Sequence, residues 1–579
     1  MAEVVVGIDF GSSGSGFAYA YKDNEEEIIH GSIPGANVDN KVPTEIILND
    51  KNKAIKFGVD CISFMKERGL KAGHYFKRIK MLLYEKKTSI EAKNTGKILP
   101  LKLVIQKVLE ELKELAFAQI KQNRPTITLS KIKWVVTVPA IWEEFEKNIM
   151  MEACIDAGLV KEDVDKSLFF ALEPEAASCY CLKNKSIDQN YLKKGQCYII
   201  CDLGGGTGDI VAHLIGENYN LNEINPASGG KYGSDEINKL FFEDIVYKIF
   251  DCADFNDYYK KYKQSNENGD DEKTLYNEWL ELEREIKDFK EGANKEKIEN
   301  DEVYPIKFSI FQDIYKDDTL INTLVNKYNN NISDKKLKLN VRSQRRWIIE
   351  FPYKIIYNYI KKQVDSICQI ICNMIKNSDE EINSMIFVGG YSSNEILISE
   401  IKNKLSKKIS FFLKPSKPCL SIMEGAVLFG LNPNNIIQRK AKYTIGIKTS
   451  AFWNEELHAK GGVKVYNEVD KTWDCENCFS IFIKVNQNLK LGQEIVNKYY
   501  MLESRYSTIY FYKTLNPSPI FINEEGVEKM GEIEFDAGME YPPGQRDFTL
   551  TFRIGGTFID VKAKHAISGK MIKTKLNFS

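Results

Sequence analysis

The stretch VVVGIDFGSSGSGFAYAY, residues 4–21, decides how the rest of the chain is read. VVVGID is a β-branched run ending in an aspartate, and GSSGSG is a backbone kept bare enough to approach a phosphate. FAYAYK then alternates with the two-residue period of a strand instead of a helical period. The glycine loop therefore joins two strands as a hairpin. A Walker loop and a dinucleotide fingerprint both need a helix directly after their glycines, so neither fits.

The device recurs in QCYIICDLGGGTGDIVAHLI, residues 196–215: a buried strand ending in aspartate, a glycine turn, and an apolar strand. Two such hairpins predict a chain of two related halves, each presenting its turn to a shared cleft. Between them, residues 132–159 and 167–182 each read as strand, proline, helix, with Gly158 suited to a left-handed helix cap. SMIFVGGYSSNEILISEIKNKL, 384–405, adds a third glycine site in the order strand, Gly389-Gly390, helix, with Ser392, Ser393 or Asn394 as its cap. Residues 45–120 and 235–345 are charged and helically periodic and read as inserted helical lobes. NGDDEK, 268–273, reads as an exposed loop, and RSQRR, 342–346, as a phosphate patch or a solvated helix face. After about residue 438 short alternating runs (KYTIGIKTS, CFSIFIKVN, STIYFYKTL, GEIEFDAG, DFTLTFRIGG, FIDVKAKHA) predict an antiparallel sandwich.

At 579 residues the chain exceeds what one core supports, and 43% hydrophobic with 28% charged residues is the composition of an ordinary globular protein. Lys+Arg 80 against Asp+Glu 81 leaves no global field to attract nucleic acid or an anionic membrane. The N-terminus carries no secretory pattern and no apolar run reaches the roughly 18 residues of a membrane span, so a cytoplasmic or nuclear location is expected. Twelve cysteines are scattered. The pair Cys475/Cys478 would need further Cys or His partners for zinc; the last hundred residues offer only His565, and two reduced thiols in a loop are expected.

Asp9 and Asp202 stand beside turns whose amides would cradle phosphate, where a carboxylate should repel it. A hydrated Mg²⁺ between the two acids and a nucleotide resolves the conflict, since magnesium binds few carboxylates and keeps its waters. The alternative is that each aspartate only caps its own turn.

These residues resemble the actin, sugar kinase and heat-shock ATPase superfamily. GIDFGSSGSG and CDLGGGTGDI look like its two phosphate motifs, WVVTVPAIWEEFEKN with ALEPEAAS like the first connecting segment, FVGGYSSNEIL like the adenosine motif, and ILISEIKN with SIMEGAVLFG like the second connecting segment. VTVPA, EPEAA, DLGGGTGD and the trailing β region are similar to the 70-kDa heat-shock proteins. AIWEE, SGGKYGSDEINKLF and GAVLFGLNP are similar to their heat shock 70 kDa protein 12 branch. The resemblance implies an α/β fold: a two-lobed actin-like ATPase of duplicated ribonuclease H-like halves with helical insertions, over 1–438 with halves near 1–190 and 191–438. An antiparallel β-sandwich at 439–579 would serve as a substrate-binding region.

Carried over motif by motif, Asp9 and Asp202 would hold magnesium through water, with Glu173 helping to position the attacking water and Asp209 near the metal. Gly11, Ser12, Ser13, Gly14, Gly204, Gly205, Gly206 and Thr207 would cradle the phosphates of ATP or ADP. Lys77, or alternatively Lys80, would steady the γ-phosphate. Gly233, Ser234 and Asp235 match the ribose side, and Gly389, Gly390, Tyr391 and Asn394 the adenosine side. Glu283 and Lys287 would flank the base. Pro139 resembles a relay of nucleotide state, or simply terminates its strand. The implied activity is slow ATP hydrolysis to ADP and phosphate by a chaperone that grips unfolded or extended clients, with co-chaperones possible and neither nucleic acid nor membrane insertion involved. The alternatives are a nucleotide-dependent scaffold and, less favoured, a small-molecule kinase. Three features depart from the family pattern: glycine at position 14 in place of an aromatic, Met423 near an expected acid, and NPNNIIQRKAKYTIG without a leucine-rich linker. No long helix follows that could form a lid.

Overall fold

The large–small alternation of Phe17, Ala18, Tyr19, Ala20 and Tyr21 has a direct structural meaning. A computed structural model describes residues 2–36, 40–160, 167–265, 272–468, 471–555 and 558–577. In it Gly14–Tyr21 pairs antiparallel with Val4–Asp9 and is buried on both faces. Phe17, Tyr19 and Tyr21 point with Val4, Val6 and Ile8 into one core, while Ala18 and Ala20 point with Val5 into another. The small face lets helix Ser421–Leu431 lie close: a Cβ on Gly7 would meet the Ala426 Cβ at 2.9 Å.

This hairpin begins a sheet ordered Leu168–Leu172, Ile132–Val138, Val4–Asp9, Gly14–Tyr21, Asn24–His30, with the first three strands parallel and the last two antiparallel additions. The second sheet repeats that order and polarity as Phe411–Leu413, Ile382–Val388, Cys197–Leu203, Gly208–Ile215, Leu221–Gly230. The helices repeat too. Leu101–Asn123 precedes Ile132–Val138 in the first half and Lys354–Lys376 precedes Ile382–Val388 in the second, while Glu173–Lys183 and Ser421–Leu431 follow Leu168–Leu172 and Phe411–Leu413. The last two helices pack against each other between the sheets, so closely that a Cβ on Gly425 would lie 1.8 Å from the Ala176 carbonyl oxygen. The chain is therefore mixed α/β with two sheets of matching order, consistent with the expected actin-like ATPase fold.

The insertions are less purely helical than the sequence predicts. The first carries a three-stranded sheet of Ile46–Leu48, Ala54–Phe57 and His74–Phe76, the second one of Val303–Lys307, Asn340–Ser343 and Ile348–Pro352. RSQRR is no helix face: Arg342 and Ser343 end a strand, and the following residues turn into its hairpin partner. Of NGDDEK, residues 268–271 lie outside the described residues. Gly158 takes the left-handed conformation, φ +71°, as a helix cap should.

The C-terminal region is β-rich, as expected. A sheet ordered Lys464–Asn467, Thr472–Ile483, Thr444–Phe452, Tyr506–Thr514, Glu528–Asp536 faces a sheet of Glu494–Tyr500, Asp547–Ile554, Phe558–His565, Met571–Asn577. Their inner residues share one core, with Phe482 stacked on Phe552 at 4.0 Å. Just before it, Ile436–Lys440 adds in parallel to Leu221–Gly230, and Asn488–Lys490 adds in turn to Ile436–Lys440. Residues 436–440 thus fold as a strand of the second-half sheet. No helix among the described residues is long and apolar enough to cross a membrane.

Candidate nucleotide site

Both glycine turns open into one cavity of about 440 Å³, a size within the range of small-molecule sites. Asp9, the last residue of its central strand, and Asp202, the last but one of its own, are each 2% exposed and line it together. Gly11, Ser12, Ser13, Gly14, Gly204, Gly205, Gly206 and Thr207 line it as well, as do Glu173, Lys287, Gly389 and Gly390. The two turns touch across the cleft: a Cβ on Gly205 would lie 1.7 Å from the Ser13 Oγ, and one on Gly206 2.5 Å from the Ser12 Oγ. Only bare backbone permits that approach.

Residues 233–235 are stitched to the second turn. The Ser234 and Asp235 amides donate to the Gly204 and Gly205 carbonyls at 3.3 and 2.7 Å, and the Gly233 amide donates to the Gly206 carbonyl at 3.2 Å. These bonds occupy carbonyl oxygens that would otherwise repel a phosphate. Asp235 also accepts a short hydrogen bond from the Ser13 hydroxyl, joining the two halves. On the far side, the Tyr391 hydroxyl donates to Gln363 at 3.0 Å, and Gln363 donates to the Gly233 carbonyl at 3.1 Å, so the expected ribose and adenosine segments belong to one hydrogen-bonded wall. Gly389 has φ +81°, and a Cβ there would come within 2.4 Å of Asp202 Oδ1. Asn394 spends its side chain capping helix Glu395–Leu405, accepting from the Leu397 amide at 2.9 Å.

The lysines separate. Lys80 is 4% exposed, lines the cleft and is ion-paired with Glu173. Lys77 is not among the cleft-lining residues; it pairs with Glu283 at 2.6 Å, and Glu283, also outside the lining, accepts from the Trp279 indole at 3.2 Å. Of the two lysines considered, the geometry brings Lys80 to the phosphate turns. Sequence reasoning missed Lys41, whose ammonium contacts Asp9 at 2.5 Å. It stands in a connecting stretch without periodicity or motif, so no signal marked it. Pro139 follows the strand Ile132–Val138, and two residues on the Ile141 amide donates to Asp209 at 3.1 Å.

Four buried acids, Asp9, Glu173, Asp202 and Asp209, thus cluster with the buried Lys80 and the half-buried Lys41. Burial, reinforced by Glu173, Asp209 and Asp9, pushes the Asp202 carboxyl well above its ordinary value. Burial likewise raises Asp209, and it pushes Glu173 up to about 7 although Lys80 pulls the other way. Burial works against the Lys41 ammonium, but Asp9 outweighs it and its pKa is raised. A divalent cation is the counter-charge that lets such a set ionise together. The donor set fits one, because Asp202 Oδ1 is buried without a hydrogen-bond partner and the remaining ligand atoms are hard oxygens.

No family model matches the chain. Heat shock 70 kDa protein 12A of Mus musculus is 26% identical to it, in an alignment covering 99% of this chain and 91% of that protein. Heat shock 70 kDa protein 12B and 12A of Homo sapiens are 25% and 26% identical with the same coverage. Along almost its entire length the chain is therefore similar to the heat shock 70 kDa proteins 12A and 12B.

Proposed function

We propose that this protein is an atypical heat-shock 70-type chaperone that binds and slowly hydrolyses ATP with Mg²⁺ and couples nucleotide state to the grip of its β-rich region on extended polypeptide. The observation that carries the reading is that Asp9 and Asp202, from opposite halves, line one cavity together with both glycine turns. In this reading Asp9 and Asp202 take the metal's water shell, where the ion would supply charge neutralisation for the phosphates. The amides and hydroxyls of both turns orient the phosphate tail, and Lys80 offsets its charge. Residues 233–235 and Gly389–Tyr391 hold the nucleoside. Glu173, poised near neutrality, positions water for in-line attack on the γ-phosphoryl, a reaction in which placement and charge stabilisation do most of the catalysis.

One observation favours a second reading, a nucleotide-holding scaffold with little turnover: Glu173 and Lys80 are already bound to each other, which leaves the water-positioning group tied. A small-molecule kinase gives the C-terminal sandwich no role. Single-turnover ATP hydrolysis with and without an unfolded peptide separates the three. Peptide-stimulated release of phosphate is expected; tight binding without release selects the scaffold, and phosphate transfer to a sugar selects the kinase.

A further inference from the structure

Residues three apart on a regular strand face opposite sides of the sheet, yet Cys475 and Cys478 do not. Both lie on Thr472–Ile483, which pairs with Thr444–Phe452 through Cys478↔Thr449 and Cys475↔Ala451 with a register shift between them. Four residues on one strand, 475–478, therefore oppose three on the other, 449–451, a bulge of the kind that re-aims side chains. It brings both sulfur atoms to one side, where they meet His458. The expectation of two thiols in a loop is corrected: they sit on a strand, and their third partner, His458, precedes them in the chain.

His458 ends the helical turn Glu455–His458, whose first amides are capped by the Asn454 side chain. Its Nε2 stands 4.0 Å from Cys478 Sγ, and the ligand atoms of His458, Cys475 and Cys478 all lie within 4.8 Å of one another. The three residues are 6%, 0% and 8% exposed. Trp453 and Phe521 present their rings edge-on to the imidazole, and the backbone closes the remaining side, since a Cβ on Gly462 would lie 2.8 Å from Cys475 Sγ. Two thiols and an imidazole converge in a buried pocket walled by Trp453 and Phe521, with Asn477 Oδ1 3.2 Å from Cys475 Sγ, and they form a donor set suited to soft and borderline cations and ill suited to magnesium or calcium.

We propose that His458, Cys475 and Cys478 bind one thiophilic metal ion of the Zn²⁺ class, which pins the 454–462 segment to the bulged strand. The described residues supply three ligands, leaving the fourth tetrahedral position to water. Binding releases one proton from each thiol to solvent, and no electrons are transferred. The imidazole now accepts a hydrogen bond at Nδ1 from the Asn454 amide at 3.0 Å, which puts its hydrogen on Nε2, facing the sulfurs. Coordination through Nε2 moves that hydrogen to Nδ1 and frees the Asn454 amide, and loss of the thiol protons gives up the hydrogen bonds from Cys475 to Asn477 Oδ1 at 3.2 Å and from Cys478 to the Cys475 carbonyl at 3.6 Å, in exchange for three metal–ligand bonds.

The test uses the full chain, reduced and stripped with a chelator, titrated with Zn²⁺ against a chromophoric chelator and separately with Co²⁺. One tight equivalent is expected, with the charge-transfer absorption of thiolate-bound Co²⁺. Cys475→Ser, Cys478→Ser and His458→Gln should each weaken Zn²⁺ about a hundredfold. Cys372→Ser, which alters a half-buried thiol elsewhere, should leave the affinity unchanged. ATP binding by each variant reports whether the rest of the chain is folded. The proposal is overturned if the wild type takes up no equivalent, or if the three ligand variants keep its affinity. A Cys475–Cys478 disulfide that, once reduced, still gives no Co²⁺ band overturns it too.

Discussion

A methyl group at Gly205 would strike the Ser13 Oγ, so alanine there should push the two turns apart. Gly205→Ala is expected to weaken ATP about tenfold or more, and Ser13→Gly in the same chain to recover much of the loss. Equal affinities for the single and double variants in equilibrium titration would show that the turns do not meet. A second residue-scale prediction concerns His213, which is fully buried with its Nδ1 2.9 Å from the Ser178 hydroxyl. Burial, with Arg439 adding to it, lowers its pKa from 6.5 to about 3. The unfolded chain therefore takes up a proton that the folded chain refuses as pH falls from 6.5 toward 3. Stability drops across that window by about 1.4 kcal/mol per pH unit and is unaffected by this group above it. Urea midpoints should show His213→Asn gaining on the wild type as pH falls; a constant difference would contradict the assignment. Asp9 and Asp202 could be singled out in sequence because each follows an apolar strand and stands beside a glycine turn, and the fold brings both into one cavity. Lys80 could not be told from Lys77, because the choice depends on Arg78 turning left-handed between them at φ +60°. Periodicity carries no trace of such a turn.

Among elements, the strand Ile436–Lys440 is the least expected. NPNNIIQRK has no leucine-rich pattern, yet the segment docks through Arg439, which forms a bidentate ion pair with Glu175 at 2.7 and 2.6 Å, both residues buried. Glu175 belongs to the helix following the last strand of the first half, so one side chain ties a second-half strand to the first half. Arg439→Met leaves the Glu175 carboxylate buried beside an apolar group and should cost about 3–5 kcal/mol, with Arg439→Met plus Glu175→Met recovering much of it. Lower urea midpoints and faster proteolysis near residue 440 are the readouts; a midpoint unchanged in the single variant would show the pair to be dispensable. Long, strongly patterned elements such as Leu101–Asn123 and the central hairpins were readable from sequence. Three-residue strands such as Ile46–Leu48 were not, because their pairing is set by distant partners and they are shorter than any period that could reveal them.

At the scale of the whole molecule, the β-rich region rests on the first half through Glu143. That carboxylate accepts from the Tyr443 hydroxyl at 2.9 Å and pairs with Lys513 at 3.1 Å, and with Lys86 of its own half at 3.1 Å. Although burial opposes it, the Lys513 ammonium and these hydrogen bonds hold Glu143 down at about 2. Phe558 meets Phe170 nearby at 5.8 Å. Glu143→Gln should loosen this junction and enlarge the radius of gyration in X-ray scattering; an unchanged scattering curve would show that other contacts suffice. Everything proposed for the cleft rests on a metal-bound nucleotide lying between Asp9 and Asp202. The most direct measurement is the equilibrium affinity for ATP with and without Mg²⁺, in the wild type and in Asp202→Asn. Mg²⁺ is expected to tighten ATP about tenfold or more in the wild type, and Asp202→Asn to abolish most of that gain. An affinity indifferent to Mg²⁺, or a magnesium effect that survives the substitution intact, would contradict that reading.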